Sequence, residues 1–166
     1  MKREELVDFL HKQTINKTLL KEVEDFVAEH PVDPAVADRI PESIYRYYGK
    51  GIWEKAIYAI LSGYHILLSG PKATGKNVFS ENLAQLFNRP MWNMSLNVNV
   101  DSASLIGVDT FRNGEVVLKK GPVTLAAEKG GFAIFDEINM AKNESLSVVH
   151  SALDFRRMID VAGYDR

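Results

Sequence analysis

Residues 65–77 read HILLSGPKATGKN, and this stretch decides the fold. The apolar run His65–Ser69 has the length of a strand and ends at Gly70. Gly75 and Lys76 follow after four intervening residues. Glycines let a backbone curl so that successive N–H groups point inward, and a helix that begins near Lys76 would offer its positive N-terminal end. The order of strand, glycine-rich loop and helix therefore predicts a cradle for a polyphosphate, with Lys76 reaching the outer phosphates.

The same spacing has a plainer interpretation, which is a strand-to-helix turn with two conformational glycines and a surface lysine. One position also departs from the usual phosphate-binding pattern, because Asn77 stands where a Ser or Thr hydroxyl commonly ligates Mg²⁺. An amide oxygen can approach a hard cation, but the amide brings an NH₂ group that cannot ligate. The loop therefore favours nucleotide binding more strongly than fast hydrolysis.

The composition limits the number of domains and the class of protein. The chain has 166 residues, 46% of them hydrophobic, and a formal net charge of −2, which fits one domain with or without a small extension. This charge gives no indication of nucleic-acid binding. Cysteine is absent, which excludes disulfides and thiolate metal sites. No secretory signal is visible, and the most apolar region, Ala56–Ser69, is too short and interrupted to span a bilayer. We therefore expect a soluble cytoplasmic protein.

The pattern of apolar residues and breakers predicts a helical extension over residues 1–44 and a core over residues 45–166. The charged helix faces of the extension are expected to be solvated, although such an arm could dock a partner. The elements predicted for the extension are a helix within Arg3–Lys12, a helix over Leu19–Val27 that Asn16 caps, and a short turn that opens at Asp33-Pro34 and closes at Ile40.

The core alternates helical and strand-like patterns after the loop Gly70–Asn77, called the phosphate loop below. Two β-prone runs flank Asn113-Gly114, which is the strongest short-range signal for a hairpin. The predicted elements are helix 52–61, strand 65–69, helix 78–87, strand 91–96, a capped helical turn at 101–107, strands 108–111 and 116–119, helix 123–128, strand 132–137 and a helix carrying Leu146, Val149 and Leu153.

Three tyrosines, Tyr45, Tyr47 and Tyr48, precede the first core helix. They could border an adenine ring by stacking, or they could be ordinary aromatic residues that pack between helices. The sequence leaves both interpretations open.

Two acids end the apolar run Phe132–Phe135. A buried parallel strand would deliver Asp136 and Glu137 at its carboxyl end, where open α/β sheets bind ligands. Asp136 would then hold Mg²⁺, and Glu137 would orient and deprotonate an attacking water. A strand end that merely exposes acids to solvent is the alternative.

Taken in order, these motifs resemble the AAA+ ATPases, within them the MoxR-like and dynein-related (midasin-like) branch. The resemblance covers about Ile52 to the C-terminus. It implies an α/β P-loop NTPase with a three-layer core and a parallel sheet, acting as an ATP-driven and usually hexameric ring that remodels or activates a protein partner. The motifs that carry it are GPKATGKN at 70–77, LIG at 105–107, the hairpin around Asn113-Gly114, KGPV at 120–123 and FAIFDEINMA at 132–141.

Carried over by position, the resemblance assigns roles to individual residues. Lys76 would contact the β- and γ-phosphates, Asn77 and Asp136 would serve Mg²⁺, and Glu137 would activate water. The hairpin would face the pore or the partner. Arg156 and Arg157 would meet a neighbouring subunit's nucleotide, or would simply compensate a helix C-terminus. The residues expected to wrap the phosphates are Gly70, Pro71, Lys72, Ala73, Thr74, Gly75, Lys76 and Asn77.

The chain also departs from the pattern of this family. Lys72 and Ala73 stand where the family often has Pro and Gly, which adds a positive charge and removes backbone freedom. After Tyr164–Arg166 the family would continue with a sensor strand, an interfacial arginine and a helical lid. The family's sheet order places that sensor strand between the phosphate-loop strand and the Asp-Glu strand. We therefore expect a fragment of a longer ATPase, in which these two strands re-pair directly or an edge recruits another chain.

The function predicted from the sequence is ATP binding with Mg²⁺, and hydrolysis that remodels a partner. The 166-residue chain is expected to be a poor catalyst by itself, because a neighbour's arginine can be worth on the order of a thousandfold in rate. One alternative is a scaffold that senses ATP without turnover, and Asn77 favours it. Another is a small-molecule kinase built on the same loop, which the Asp136-Glu137 pair argues against.

Overall fold

The computed structural model describes residues 2–147, 150–159 and 161. The chain divides into two compact units, Met1–Met91 and Trp92–Arg166. The first unit contains α1 (Arg3–Lys12), α2 (Lys17–Glu29), a 3-10 helix (Pro34–Arg39), α3 (Lys50–Leu61) and α4 (Lys76–Leu86). The strand β1 (Met91–Ser95) follows, and the second unit continues with α5 (Ser102–Ile106), β2 (Gly107–Arg112), β3 (Glu115–Lys120), α6 (Pro122–Glu128), β4 (Phe132–Asp136), a 3-10 helix (Ile138–Met140), α7 (Asn143–Ser147) and α8 (His150–Leu153).

The helices of the first unit begin and end where their local signals predict. The side chain of Asn16 accepts a hydrogen bond from the backbone N–H of Thr18, and Asp33 does the same for Ala35 before the 3-10 helix. The apolar faces of these helices form one core, so that the helical extension packs within the same unit as α3 and α4. Its fully buried side chains include Leu6, Leu10, Val23, Trp53, Ile57, Phe79, Leu86 and Phe87.

The strand predicted at His65–Ser69 is wrong. These residues form neither helix nor strand, and the side chain of Leu67 is 78% exposed. A strand is completed by the backbone groups of a neighbour, and in the part of the chain that the structure describes no strand pairs with this segment. The direct re-pairing with the Asp-Glu strand that the sequence suggested is therefore absent from the described residues.

The second unit has a parallel α/β arrangement in which β1 pairs with β4. The backbone N–H of Leu96, just after β1, donates to the carbonyl oxygen of Asp136 at 2.9 Å. The predicted parallel strand is thus confirmed, but all five residues of β4 are half-buried, so the prediction that the strand is fully buried is wrong. The strand has one sheet neighbour among the described residues, β1. The adjoining core is formed by Met94, Leu96, Leu105, Ile106 and Val123.

The predicted hairpin is confirmed. Strands β2 and β3 are antiparallel, with Phe111 opposite Val116 and Arg112 opposite Glu115. Asn113 and Gly114 both have positive φ, 54° and 89°, as a tight turn between twisted strands requires. The hairpin emerges between α5 and α6, where the N–H of Gly121 donates to the carbonyl oxygen of Ile106 at 2.7 Å.

The last predicted helix is represented by α7 and α8. Leu146 and Leu153 lie in them, whereas Val149 lies outside the described residues, as does the segment Tyr164–Arg166. No helix in the described ranges has the length and apolarity needed to cross a membrane.

Candidate functional site

The phosphate loop is a closely bonded turn that leads into α4. Gly75 adopts a left-handed conformation, with φ of 82°, directly before Lys76, and Ala73 is also left-handed, with φ of 60°. The hydroxyl of Thr74 donates to the carbonyl oxygen of Pro71 at 3.0 Å. Left-handed backbone costs a residue with a Cβ about 1–2 kcal/mol. Ala73 therefore adopts the turn at a cost that a glycine would avoid.

The ammonium group of Lys76 lies on the loop itself. Nζ donates to the carbonyl oxygens of Gly70 and Pro71 at 3.0 and 2.7 Å. Both acceptors are neutral, and hydrogen bonds from an ammonium to an anionic oxygen are stronger. A phosphate that enters the loop would therefore compete well for this cation.

The tyrosines that precede α3 occupy different environments. Tyr47 is half-buried, and its ring lies 4.7 Å from that of Phe79. Tyr45 and Tyr48 are largely exposed, and the ring of Tyr48 meets Phe9 edge-on. Packing between helices thus describes Tyr47, whereas contact of any tyrosine with an adenine ring stays a prediction.

Sequence reasoning missed Asn82, which hydrogen-bonds to the backbone of the tyrosine segment and is fully buried. A signal for it was available, because Asn82 lies three residues after Phe79 and one before Leu83, on the apolar face of α4. A polar residue on an apolar helix face calls for hydrogen-bond partners.

Asp136 and Glu137 stand at the carboxyl end of β4. Asp136 is half-buried and its Oδ1 accepts from the backbone N–H of Glu137 at 3.0 Å, while Glu137 is exposed. Glu137 has φ of 54° and ψ of 41°, and it precedes the 3-10 helix that contains Asn139. Such backbone strain costs of order 1 kcal/mol or more and is concentrated at functional sites. The arrangement offers carboxylate oxygens for a cation and for a water molecule.

The structure groups the predicted site residues into two local sets. The loop Gly70–Asn77 belongs to the first unit, and Asp136 and Glu137 belong to the second. Their action on one nucleotide stays a prediction. No group of three or more His, Cys, Asp or Glu that could by itself hold a metal ion occurs in residues 2–147, 150–159 and 161. Mg²⁺ bound with a nucleotide does not need such a cluster, since phosphates and water supply most of its ligands.

Arg156, proposed to reach a neighbour's nucleotide, is engaged within its own chain. Its guanidinium donates to Asp154 Oδ2 at 2.6 and 2.9 Å, and this contact lowers the pKa of the Asp154 carboxyl. A phosphate elsewhere would compete with Asp154 for this guanidinium.

Comparison with known proteins identifies the family to which the chain is similar. The AAA domain (dynein-related subfamily) matches residues 65–165. The uncharacterized protein YojN of Bacillus subtilis is 36% identical over 135 residues, which cover 79% of this chain and 44% of that protein. An uncharacterized protein of Staphylococcus epidermidis is 33% identical over 123 residues, 71% of this chain and 47% of that protein. One of Staphylococcus saprophyticus is 41% identical over 100 residues, 57% and 38% respectively. The chain thus spans less than half the length of these relatives.

Proposed function

This chain belongs to the dynein-related subfamily of AAA domains, and we propose that it binds ATP with Mg²⁺ and hydrolyses the nucleotide to remodel or activate a protein partner. Membership in this family makes the chain a nucleotide-binding AAA+ module. Hydrolysis, the metal and the partner go beyond the family and are proposals.

One observation carries the proposal, namely the position of the Lys76 ammonium over the carbonyl oxygens of Gly70 and Pro71. The loop is curled, with Ala73 and Gly75 both in left-handed conformation, and phosphate oxygens would be stronger acceptors for the Lys76 ammonium than its two neutral carbonyl partners. Helix α4 begins at Lys76, so its N-terminal end adds a partial positive charge at the same place.

The proposed reaction is in-line attack of water on the γ-phosphate. Residues 70–77 would wrap the phosphates, and Lys76 would stabilise the charge on the outer ones. Glu137 would orient the water and accept its proton. Asn77 and Asp136 have oxygen atoms suited to Mg²⁺, which when bound would neutralise phosphate charge.

We further propose, from the family, that the protein assembles into a ring, and, from the cysteine-free composition, that it works in the cytoplasm. The residues that would contact the protein partner are on the hairpin β2–β3, where Phe111 is 75% and Val116 is 62% exposed. Exposed apolar side chains at a hairpin end are suited to contact another protein.

A nucleotide-sensing scaffold remains the second candidate, and the observation that favours it is Asn77 in place of a hydroxyl residue. Such a protein would bind ATP and signal through its helices without turnover. A small-molecule kinase ranks below it, and phosphorylation of an acceptor in a metabolite screen would favour it.

Three variants test the proposal by calorimetric titration of MgATP and by phosphate release. Lys76→Ala should abolish ATP binding, because it removes the charge that faces the phosphates. Glu137→Gln should bind ATP like the wild type but stop hydrolysis, and Lys55→Ala, an exposed lysine on α3, serves as the control. Retained hydrolysis in Glu137→Gln would overturn the assignment of the base, and unchanged binding in Lys76→Ala would overturn the site.

A further inference from the structure

The segment Tyr45–Tyr48 has no helix or strand, yet buried side chains fix its backbone. Asn82 donates from Nδ2 to the carbonyl oxygen of Tyr45 at 2.9 Å, and its Oδ1 accepts from the N–H of Tyr47 at 3.0 Å. The indole N–H of Trp53 donates to the carbonyl oxygen of Tyr47 at 2.9 Å. Asn82 and Trp53 are both 0% exposed. The segment is therefore held at three points by the core of the first unit.

Asn82 directs its amide away from its own helix. A fully buried amide is costly unless it is hydrogen-bonded, and an apolar residue would avoid that cost at this position of α4. Ser80 lies two residues earlier, and its hydroxyl instead donates to the carbonyl oxygen of Lys76 in the same helix. The partners of Asn82 lie 35 and 37 positions earlier in the sequence. What Asn82 provides is thus the placement of the tyrosine segment.

The fixed segment contacts the phosphate loop through Tyr47. A Cβ placed on Gly75 would lie 3.3 Å from Cδ2 and 3.4 Å from Cε2 of the Tyr47 ring. The ring therefore occupies the space beside the left-handed residue that joins the loop to α4. Asn82 itself is six residues beyond Lys76, about 9 Å along the helix, and its amide is engaged with the segment. The contact that links Asn82 to the loop runs through Tyr47, which Asn82 holds by its backbone and which lies beside Gly75.

We propose that Asn82 is a positioning residue of the phosphate loop, holding the Tyr47 ring against Gly75 so that the loop keeps its phosphate-receiving shape. The inference rests on the proposed nucleotide binding. Receiving a phosphate requires several loop N–H groups to point inward together, and a loop fixed beforehand loses less conformational freedom on binding. The ring touches the loop, so its loss weakens binding of the phosphates whether or not a base is attached.

The test measures the dissociation constants of MgATP and of inorganic tripolyphosphate, well below the unfolding temperature of each variant. Asn82→Ala and Tyr47→Ala should each weaken the binding of both probes by about tenfold. The double variant should lose no more than either single variant, because the two residues act in one chain of contacts. Tyr47→Phe keeps the ring and should bind like the wild type. Ser80→Ala removes a hydrogen bond within the same helix and is the matched control.

The outcomes separate this inference from the function beneath it. A wild type that binds neither probe contradicts the proposed function. A wild type that binds both, with Asn82→Ala within about twofold of it, overturns the role of Asn82 alone. The role of Asn82 is also overturned if affinity is lost for MgATP but not for tripolyphosphate, or if the losses of affinity in the two single variants add in the double variant. If Asn82→Ala does not fold, Tyr47→Ala compared with Tyr47→Phe decides whether the ring positions the loop.

Discussion

Asn77 is the residue at which the phosphate loop departs most from a hydrolytic site. It follows Lys76 at the start of α4 and is exposed. Asn77→Thr replaces the amide with a hydroxyl, the group that usually ligates Mg²⁺ after the loop lysine. For a weakened ATPase we expect a gain of about tenfold or more in turnover, with ATP affinity little changed. Phosphate release at saturating MgATP measures it, and turnover that stays near zero would instead support the nucleotide-sensing scaffold.

Asp101 is a residue whose ionisation should affect stability. Its Oδ1 accepts from the backbone N–H of Ser104 at 2.8 Å, and this bond lowers the pKa of the carboxyl below its ordinary value. A lowered folded pKa stabilises the protein above the unfolded pKa, and this contribution is lost as the pH falls through the folded one. Asp101→Ala should therefore lower the Tm at neutral pH, with a difference that shrinks in acid.

Thermal unfolding of the wild type and Asp101→Ala from neutral to strongly acidic pH checks this sign. Asp101→Asn is the control, since its amide oxygen caps the helix without a titrating charge. A difference between wild type and Asp101→Ala that stays constant down to strongly acidic pH would contradict the prediction.

At the scale of elements, the junction of α5, the hairpin and α6 depends on Gly121. A Cβ at this position would lie 2.4 Å from the carbonyl oxygen and 2.6 Å from the carbonyl carbon of Leu105. Both atoms are backbone, so they cannot turn aside as a flexible side chain would. Gly121→Ala should lower the free energy of unfolding by about 2 kcal/mol or more.

Gly51→Ala is the matched control, and urea unfolding measures both variants. Gly51 lies in α3, where an added Cβ would meet no atom within 4 Å. An alanine there should stabilise the chain by roughly 0.5 kcal/mol through the entropy of the unfolded state. Equal effects of the two substitutions would show that the close approach of Gly121 to Leu105 is unimportant.

The elements that the sequence predicted well are those whose signals lie within them. Helix α2 follows the cap Asn16 and ends before His30-Pro31, and the hairpin turns at Asn113-Gly114. The segment His65–Ser69 has the composition of a strand, but pairing depends on a neighbour that its own residues do not specify. The position of Asn82 on an apolar helix face was a readable signal, but the partners of its amide lie far away in sequence and could not be predicted.

At the scale of the whole molecule, the two sets of proposed catalytic residues belong to different compact units. The phosphate loop lies in the first unit and Glu137 in the second. The sequence predicted both sets from short motifs, since each is held by local backbone. No short motif specifies whether an arginine that would complete the proposed site comes from this chain or from a neighbour. That property depends on assembly.

Assembly into a ring predicts that turnover depends on protein concentration. In a version extended to the length of its relatives, of which this chain covers 44% in the Bacillus subtilis protein, ATP hydrolysis should be slow when the protein is dilute, and turnover per chain should rise with concentration as neighbours complete one another's sites. An arginine supplied in trans contributes on the order of a thousandfold in related phosphoryl transfers, so the rise should be large. Phosphate release and sedimentation, measured on the same dilution series, should change together.

Mixing with Glu137→Gln subunits separates a ring from independent chains. At a fixed total concentration, activity should fall more steeply than the wild-type fraction, because each inactive subunit also disturbs its neighbour's site. Lys55→Ala subunits, which keep every proposed catalytic residue, should leave activity unchanged. Activity proportional to the wild-type fraction, together with turnover per chain that is independent of concentration, would mean that each chain works alone. That result would contradict the proposal that neighbouring subunits share a site, even if the chain binds ATP.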